Sequence, residues 1–460
     1  MNKEKLKEAV CQAIEQEKAR NIGWAKEITG QPQLGFKEMK TSELIRSVFD
    51  SLGLPTRSGI ALTGVEWVLE GGGPSIYAAI ISRADSNSER IMKVDRIEVF
   101  WVALPLIYPW KTAYGEDADV HSILVRMLSG NQEGWGEITP LFAPTYSPET
   151  ASSAFFLITE IFGPQVVRKE WESASALRDH LSAFKGNSFA KAGIEIAWWN
   201  LEAEIRETPL HRLLGGKTRF VEAGQDFGVQ DSIDLLLENI EKAVQQGFKR
   251  IKLKARPGWD LEMLQVVRSA FPRMTFHIDC NSGYTLDHLP FFQKVDRLGL
   301  VMIEQPLFHD DLVEHAELQK QVETPICLDE SVKSVRDMRL AIKLKSCRYV
   351  NIKPGRVGGL QSALEIHNLA RDHGIPAWVG GMPESGVGSG INIELATLEN
   401  FTYPGDLFPS ERFYVEDLTE PPVQFAPGKL GFQPSLVPGI PYEPVMDRVE
   451  KKTLKKAVLK

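Results

Sequence analysis

The chain has 460 residues, of which 43% are hydrophobic and 25% charged. That is long enough for two to four domains and matches an ordinary globular composition. A net charge of −8 and a pI near 5.7 argue against nucleic acid or an anionic membrane as the main partner. No apolar run approaches the ~20 residues of a membrane span. The charged start MNKEKLKEAV lacks the apolar core of a signal peptide, so a cytoplasmic location is expected. Cys11, Cys280, Cys327 and Cys347 form no CxxC and no disulfide-like pattern, in keeping with a reducing compartment.

Residues 1–91 carry 12 basic and 12 acidic side chains, so the whole acidic excess lies in 92–460. Leu6, Ala9, Val10, Ala13 and Ile14 recur at helical spacing, as do Leu44, Ile45, Val48, Phe49 and Leu52. Gly53 and Pro55 stop the second helix. Strands are expected at 64–69 and 75–81, joined by a Gly-Gly-Gly-Pro turn. ADSNSER at 84–90 reads as a linker. PQLGFKE at 32–38, SLGLP at 51–55 and the TGV before the glycine turn resemble the start of the M20 metallopeptidase/amidohydrolase family. Those enzymes bind zinc through histidines and carboxylates, yet the first histidine here is His121. The resemblance therefore implies a truncated, non-catalytic fragment; a docking or solubility role is the alternative.

From Met92 the chain reads as mixed α and β. Strands are expected at 93–104 and 121–128, before Gly134-Trp135-Gly136-Glu137, and a helix at 188–206 with a wide apolar stripe. Strands then recur at 221–229, 248–255, 275–281, 300–306, 325–331, 349–355 and 376–381. Helical stretches at 232–246, 261–270 and 361–372 lie between them. Such alternation implies parallel strands with crossover helices, and seven or eight units suggest a barrel. The active site of a barrel lies at the C-terminal ends of its strands.

Five of those ends are charged: IKLK, FHID, VMIE, ICLD and VNIK finish on Lys254, Asp279, Glu304, Asp329 and Lys353. Their spacings are 25, 25, 25 and 24 residues. Three carboxylates after apolar runs call for cationic partners. Oxygen donors without histidine or thiolate favour a hard ion such as Mg²⁺, with Mn²⁺ or another divalent ion as substitute. Separate salt bridges at the rim are the plainer alternative. Asn281, two residues past Asp279 on the same face, either supports this group or caps a turn. Lys252 and Lys254 share one face of a strand, where each disfavours the other's protonation, and a metal adds to this. A lysine so tuned can act as a base. Lys353 approaches from the opposite side. A metal on a substrate carboxylate, with a base on each face, specifies α-proton abstraction. Return of the proton to the other face gives racemisation; loss of a β-leaving group gives elimination.

IKLKARPGWD (251–260), IDCNSGY (278–284), IEQP (303–306), CLDES (327–331), NIKPGRVGGL (351–360) and GGMPESGVG (380–388) are similar to motifs of the enolase superfamily. The likeness falls in its muconate-lactonizing subgroup and is nearest to the o-succinylbenzoate synthase/N-acylamino acid racemase family. GWGE and APTYSPET (143–150) extend it toward the N-terminus. The resemblance implies a modified (β/α)7β TIM-like barrel with an α+β capping domain, plus the small N-terminal α/β fragment. It places the cap at 92–217, the barrel at 218–412 and a returning segment at 413–460. It implies Asp279, Glu304 and Asp329 as Mg²⁺ ligands, Lys254 and Lys353 as the acid/base pair, and Lys252 as the lysine that tunes Lys254. Arg356, Asn281 and Glu384 are supporting or substrate-contacting candidates. A loop at 112–115 would close over a small-molecule carboxylate, and a homo-oligomer is usual. The implied activity is racemisation of N-acyl, chiefly N-succinyl, amino acids, with o-succinylbenzoate synthesis for menaquinone as the alternative. Where the family carries an arginine and a His-Asn pair, this chain has Ser389, Gly390, Ile391 and Asn392. Pro383 replaces a common leucine. These departures bear on the substrate rather than on the proton chemistry.

Overall fold

The computed structural model describes residues 56–60, 64–69, 76–80, 91–111 and 115–460. The chain divides into two compact units, Met1–Arg90 and Ile91–Lys460. In the first, Thr56–Ile60, Gly64–Leu69 and Ile76–Ile80 form an antiparallel sheet in chain order, with Thr56 opposite Trp67 and Val65 opposite Ile80. The strand at 56–60 is additional to the two read from the sequence. The two expected helices lie outside the described residues, as do positions 112–114 of the expected closing loop.

The second unit opens with a long hairpin, β1 (Arg96–Lys111) and β2 (Glu116–Ser129). Both strands outrun the sequence expectation, because the pairing resumes beyond Pro105 after a register irregularity, with Trp110 opposite Asp117. β3 (Gln132–Ile138) pairs with β2, and the C-terminal strand Thr453–Leu459 pairs antiparallel with β1. Helix α1 (Ser188–Ile205) packs on this sheet. Gly134 and Gly136 let it approach: a Cβ on Gly136 would stand 2.6 Å from the Ala197 amide nitrogen, and one on Gly134 2.1 Å from that of Leu201. Neither contact is sterically possible, so the GWG element is a helix seat.

Seven parallel strands follow in sequential order: β4 (Gln225–Phe227), β5 (Ile251–Lys254), β6 (Phe276–Asp279), β7 (Ile303–Glu304), β8 (Ile326–Leu328), β9 (Tyr349–Ile352) and β10 (Ala377–Val379). Some of the intervening helices start at polar caps: Ser232 accepts from the Leu235 amide and Ser334 from that of Asp337, replacing bonds the first turn lacks. The segment 400–406 bonds to both edge strands. Thr402 N donates to Ala377 O and Asp406 N to Val379 O, while Gly224 N donates to Gly405 O. Ala223 and Gly405 form a parallel bridge. The curled sheet is thereby closed into a barrel.

Alternation decides what faces inward. Ile251, Leu253, Ile278, Ile303, Leu328 and Val350 are buried in the main hydrophobic core. The opposite face carries Lys252, Lys254, His277, Asp279, Glu304, Asn351 and Trp378. Below the rim, Met302, Cys327 and Trp378 form a small apolar plug with Tyr349 and Tyr403 against them, and Trp378 Nε1 lies 3.3 Å from Cys327 Sγ.

Buried glutamates tie cap to barrel. Glu137 accepts from Ser385 N, Ser385 Oγ and Gly388 N, at the start of helix Gly386–Leu395. Glu195 accepts from Leu360 N and Gln361 N at the start of Leu360–Asp372, and from Trp199 Nε1. Each satisfies otherwise orphaned helix N–H groups and suits the positive end of the helix dipole.

Candidate active site

Strand register brings the predicted residues together. Lys254 stands opposite Asp279, Asp279 opposite Glu304, and Glu304 opposite Cys327, so Asp329 follows two residues on and on the same face. All three carboxylates are buried, as are Lys252, Lys254 and Lys353. Lys254 Nζ donates to Asp279 Oδ2 and Asn281 Oδ1, each at 2.7 Å. Asn281 donates on to Glu330 Oε1 at 3.1 Å, and its own amide reaches Asp279 Oδ1. Asn281 therefore links two carboxylates to the lysine, with its backbone at φ +41°, a left-handed conformation that asparagine tolerates better than most residues.

Lys353 Nζ lies 2.9 Å from Asp329 Oδ2 and 4.5 Å from the centre of the Tyr146 ring. Arg356 also pairs with Asp329, and donates to Tyr146 Oη and to the carbonyls of Val332 and Asn351. Tyr146 Oη donates to Asp329 Oδ1 at 3.0 Å. Tyr146, Lys252, Lys254, Asn281 and Lys353 line one cavity of about 60 Å³ beneath the cap, with Asp226, Asp406 and Met382. Lys254 and Lys353 thus enter it from the last residue of β5 and the residue just past β9, on either side of the carboxylates.

Lys252 is the most heavily compensated cation. Its Nζ is 2.8 Å from Asp406, 2.9 Å from Glu304 and 3.0 Å from Asp279. Burial disfavours its ammonium, yet Asp279, Asp406, Glu304 and Asp226 outweigh that and hold its pKa well above the ordinary lysine value. Asp279 loses solvation too, but Lys252 and Lys254 hold it below the usual carboxylate range. Burial and the nearby Asp279 work against Glu304, and Lys252 with His277 brings it lower. Burial also acts against Lys353, and Tyr146, Glu330 and Glu304 carry it upward. Beneath Lys252, Arg250 reaches Asp226 at 2.7 Å and Asp406 at 2.6 Å, stacked against Trp378 and Tyr403.

Glu384 sits apart from this ring. It accepts from Asn392 Nδ2 at 3.1 Å and lines a small neighbouring pocket that Lys353 also borders. Burial raises its carboxyl to about 8, with Glu137 adding to the effect.

Several participants escaped the sequence reading. Tyr146 comes from the cap and lies within the APTYSPET motif, but the motif gives it no role and does not point to a contact 183 residues away. Gln305 was legible within IEQP: its Oε1 accepts from the amides of Asp329 and Ser331, so it positions the neighbouring strand end. Asn351 holds Glu304 Oε1 at 2.7 Å and occupies the inward position two before Lys353, a signal present in the strand period.

The carboxylate oxygens are engaged by lysine, arginine, tyrosine and asparagine side chains. Among the described residues, no three His, Cys, Asp or Glu side chains converge as a ready coordination cluster. The donor set nevertheless suits a hard divalent ion: three buried carboxylates on adjacent strand ends, without thiolate. Glu304 Oε2 has no hydrogen bond of acceptable geometry despite its ion pair with Lys252, leaving a buried anionic oxygen free to ligate.

Comparison with known proteins fits this geometry. Residues 96–215 match the family described as mandelate racemase/muconate lactonizing enzyme, N-terminal domain, and residues 235–447 the family described as enolase C-terminal domain-like. The chain is 42% identical over 329 residues to an N-succinylamino acid racemase of Thermus thermophilus, covering 72% of this chain and 89% of that one. It is 42% identical over 346 residues to an o-succinylbenzoate synthase of Geobacillus kaustophilus, covering 75% and 92%. A solved enolase-superfamily structure from Listeria innocua superposes with a TM-score of 0.76 at 33% identity, covering 80% of this chain and 99% of that one. The chain belongs to the enolase superfamily, within the o-succinylbenzoate synthase/N-acylamino acid racemase family of its muconate-lactonizing subgroup.

Proposed function

We propose that the protein racemises N-succinyl amino acids by a two-base reaction at the barrel rim. The observation that carries this reading is the pair Lys254 and Lys353, which line one cavity from opposite sides of Asp279, Glu304 and Asp329. Enzymes of this superfamily use a divalent metal ion. Here Asp279, Glu304 and Asp329 would hold Mg²⁺, or Mn²⁺ in its place. When bound, that ion supplies positive charge to the substrate carboxylate as an enolate develops. Lys254 takes the α-proton from one face and Lys353 returns one to the other, with the roles reversed for the opposite enantiomer. Lys252, fixed by three carboxylates, adds a permanent positive charge beside the developing anion. Tyr146 and Arg356 hold Asp329, and Asn281 with Asp279 holds Lys254 in place, which removes reorientation from the reaction step.

The second reading is o-succinylbenzoate synthesis, in which the same α-proton loss is followed by expulsion of a β-hydroxyl as water. The Geobacillus relative carries that name at equal identity. One assay decides between them: kcat/KM for racemisation of N-succinyl-phenylalanine against kcat/KM for dehydration of the cyclohexadiene precursor of o-succinylbenzoate. A higher value for the amino acid supports the racemase; turnover of the precursor alone overturns it.

A further inference from the structure

Both candidate substrates carry a succinyl group, so each has a second carboxylate beyond the one at the reacting centre. The catalytic cavity holds about 60 Å³, the space of a few water molecules, so the acyl chain must extend out of it. Beside it lies an open groove of about 620 Å³, lined by Tyr108, Gln225, Gln230, Lys242 and Arg412 among others. Phe413 lines both spaces. Asp226 lines the cavity, and its main-chain carbonyl accepts from Arg412 Nη2 at 3.0 Å. The groove therefore begins one residue from the catalytic cavity.

A terminal carboxylate needs a cation that is not already neutralised. Lys252, Lys254 and Lys353 each pair with a carboxylate. Of the lysines and arginines lining cavity or groove, only Arg412 and Lys242 have no carboxylate within ion-pair distance among the described residues. Lys242 is exposed on the helix Ile233–Gln246, where water screens it. Arg412 is half-buried, and its Nε and Nη1 have no hydrogen-bond partner among the described residues. A guanidinium offers paired donors that match a carboxylate, and partial burial strengthens the interaction.

We infer that Arg412 and the groove around it form a subsite for the terminal carboxylate of a succinyl-type acyl chain, making Arg412 a specificity-determining residue. This rests on the proposed substrate class, although either of its two readings supplies the same chain. The uncharged mimic is a butyryl group, of equal carbon count. With full-length protein and Mg²⁺, binding and racemisation of N-succinyl-L-phenylalanine and N-butyryl-L-phenylalanine are compared for the parent, Arg412→Gln and Arg412→Lys. Arg412→Gln is expected to weaken Kd and raise KM for the succinyl compound roughly tenfold to hundredfold, leaving the butyryl compound within about twofold, with Arg412→Lys partly restoring the preference. Equal losses on both compounds, no loss on either, or a parent that binds both alike would overturn the subsite. A parent that binds the succinyl compound preferentially but turns over neither, with that preference lost in Arg412→Gln, leaves the subsite standing and removes the racemase reading instead.

Discussion

Asp406 shows how much a single residue can decide. Of the acids in 376–412, it alone points its carboxylate at both Lys252 (2.8 Å) and Arg250 (2.6 Å). No spacing rule reaches it, since it lies in the segment that closes the barrel rather than at a strand end. The five charged strand ends, by contrast, were legible because a parallel barrel repeats its strands at a near-constant chain interval and period 2 keeps their last residues on one face. Their proton chemistry is directly testable. Lys254→Ala and Lys353→Ala are each expected to lower racemisation by about 10² to 10⁴, the usual worth of a positioned acid or base. Each variant should retain α-H/D exchange on one enantiomer only, read by mass spectrometry or NMR in D₂O. Racemisation at the parent rate in Lys353→Ala would exclude the two-base scheme.

At the scale of elements, the capping domain is held to the barrel by carboxylates placed at helix starts. Glu195 is the clearest case, with three donors on its two oxygens. Burial raises its carboxyl from 4.5 to about 7, against those donors. A raised carboxyl favours the protonated folded form, so its contribution is fully present below pH ~4.5 and is lost as pH climbs through 7. Glu195→Gln keeps one acceptor and turns the other into a donor facing an N–H. It is expected to cost about 1 to 3 kcal/mol and to flatten the pH dependence of stability between 4.5 and 7. Denaturant melts at several pH values measure both, and an unchanged slope would show that Glu195 does not titrate in that window. The helical periodicity of 188–206 was plain in sequence. That its Glu195 would cap a helix 165 residues away was not, because caps are normally sought next to the helix they serve.

For the whole molecule, every candidate site residue lies in the unit Ile91–Lys460. Removal of residues 1–90 is therefore expected to leave kcat/KM within about twofold; a large loss would assign the N-terminal segment a part in function. The three buried acids argue for metal dependence at the same scale. Exhaustive chelation should abolish turnover and Mg²⁺ or Mn²⁺ restore it, while full activity after chelation would remove the metal assignment.

The amino-acid sequence by itself determined the strand–helix period, the inward charges at its ends and hence the class of chemistry, since these follow from local geometry and side-chain type. Only the tertiary structure decided which cations meet which carboxylates: Lys252 with Asp279, Glu304 and Asp406, Lys353 with Asp329, and Tyr146 brought from the cap. Those pairings join residues from 24 to 183 positions apart. They exist because burying charge in a closed barrel is tolerable only when every group finds a partner, and chain order does not state where the partner comes from.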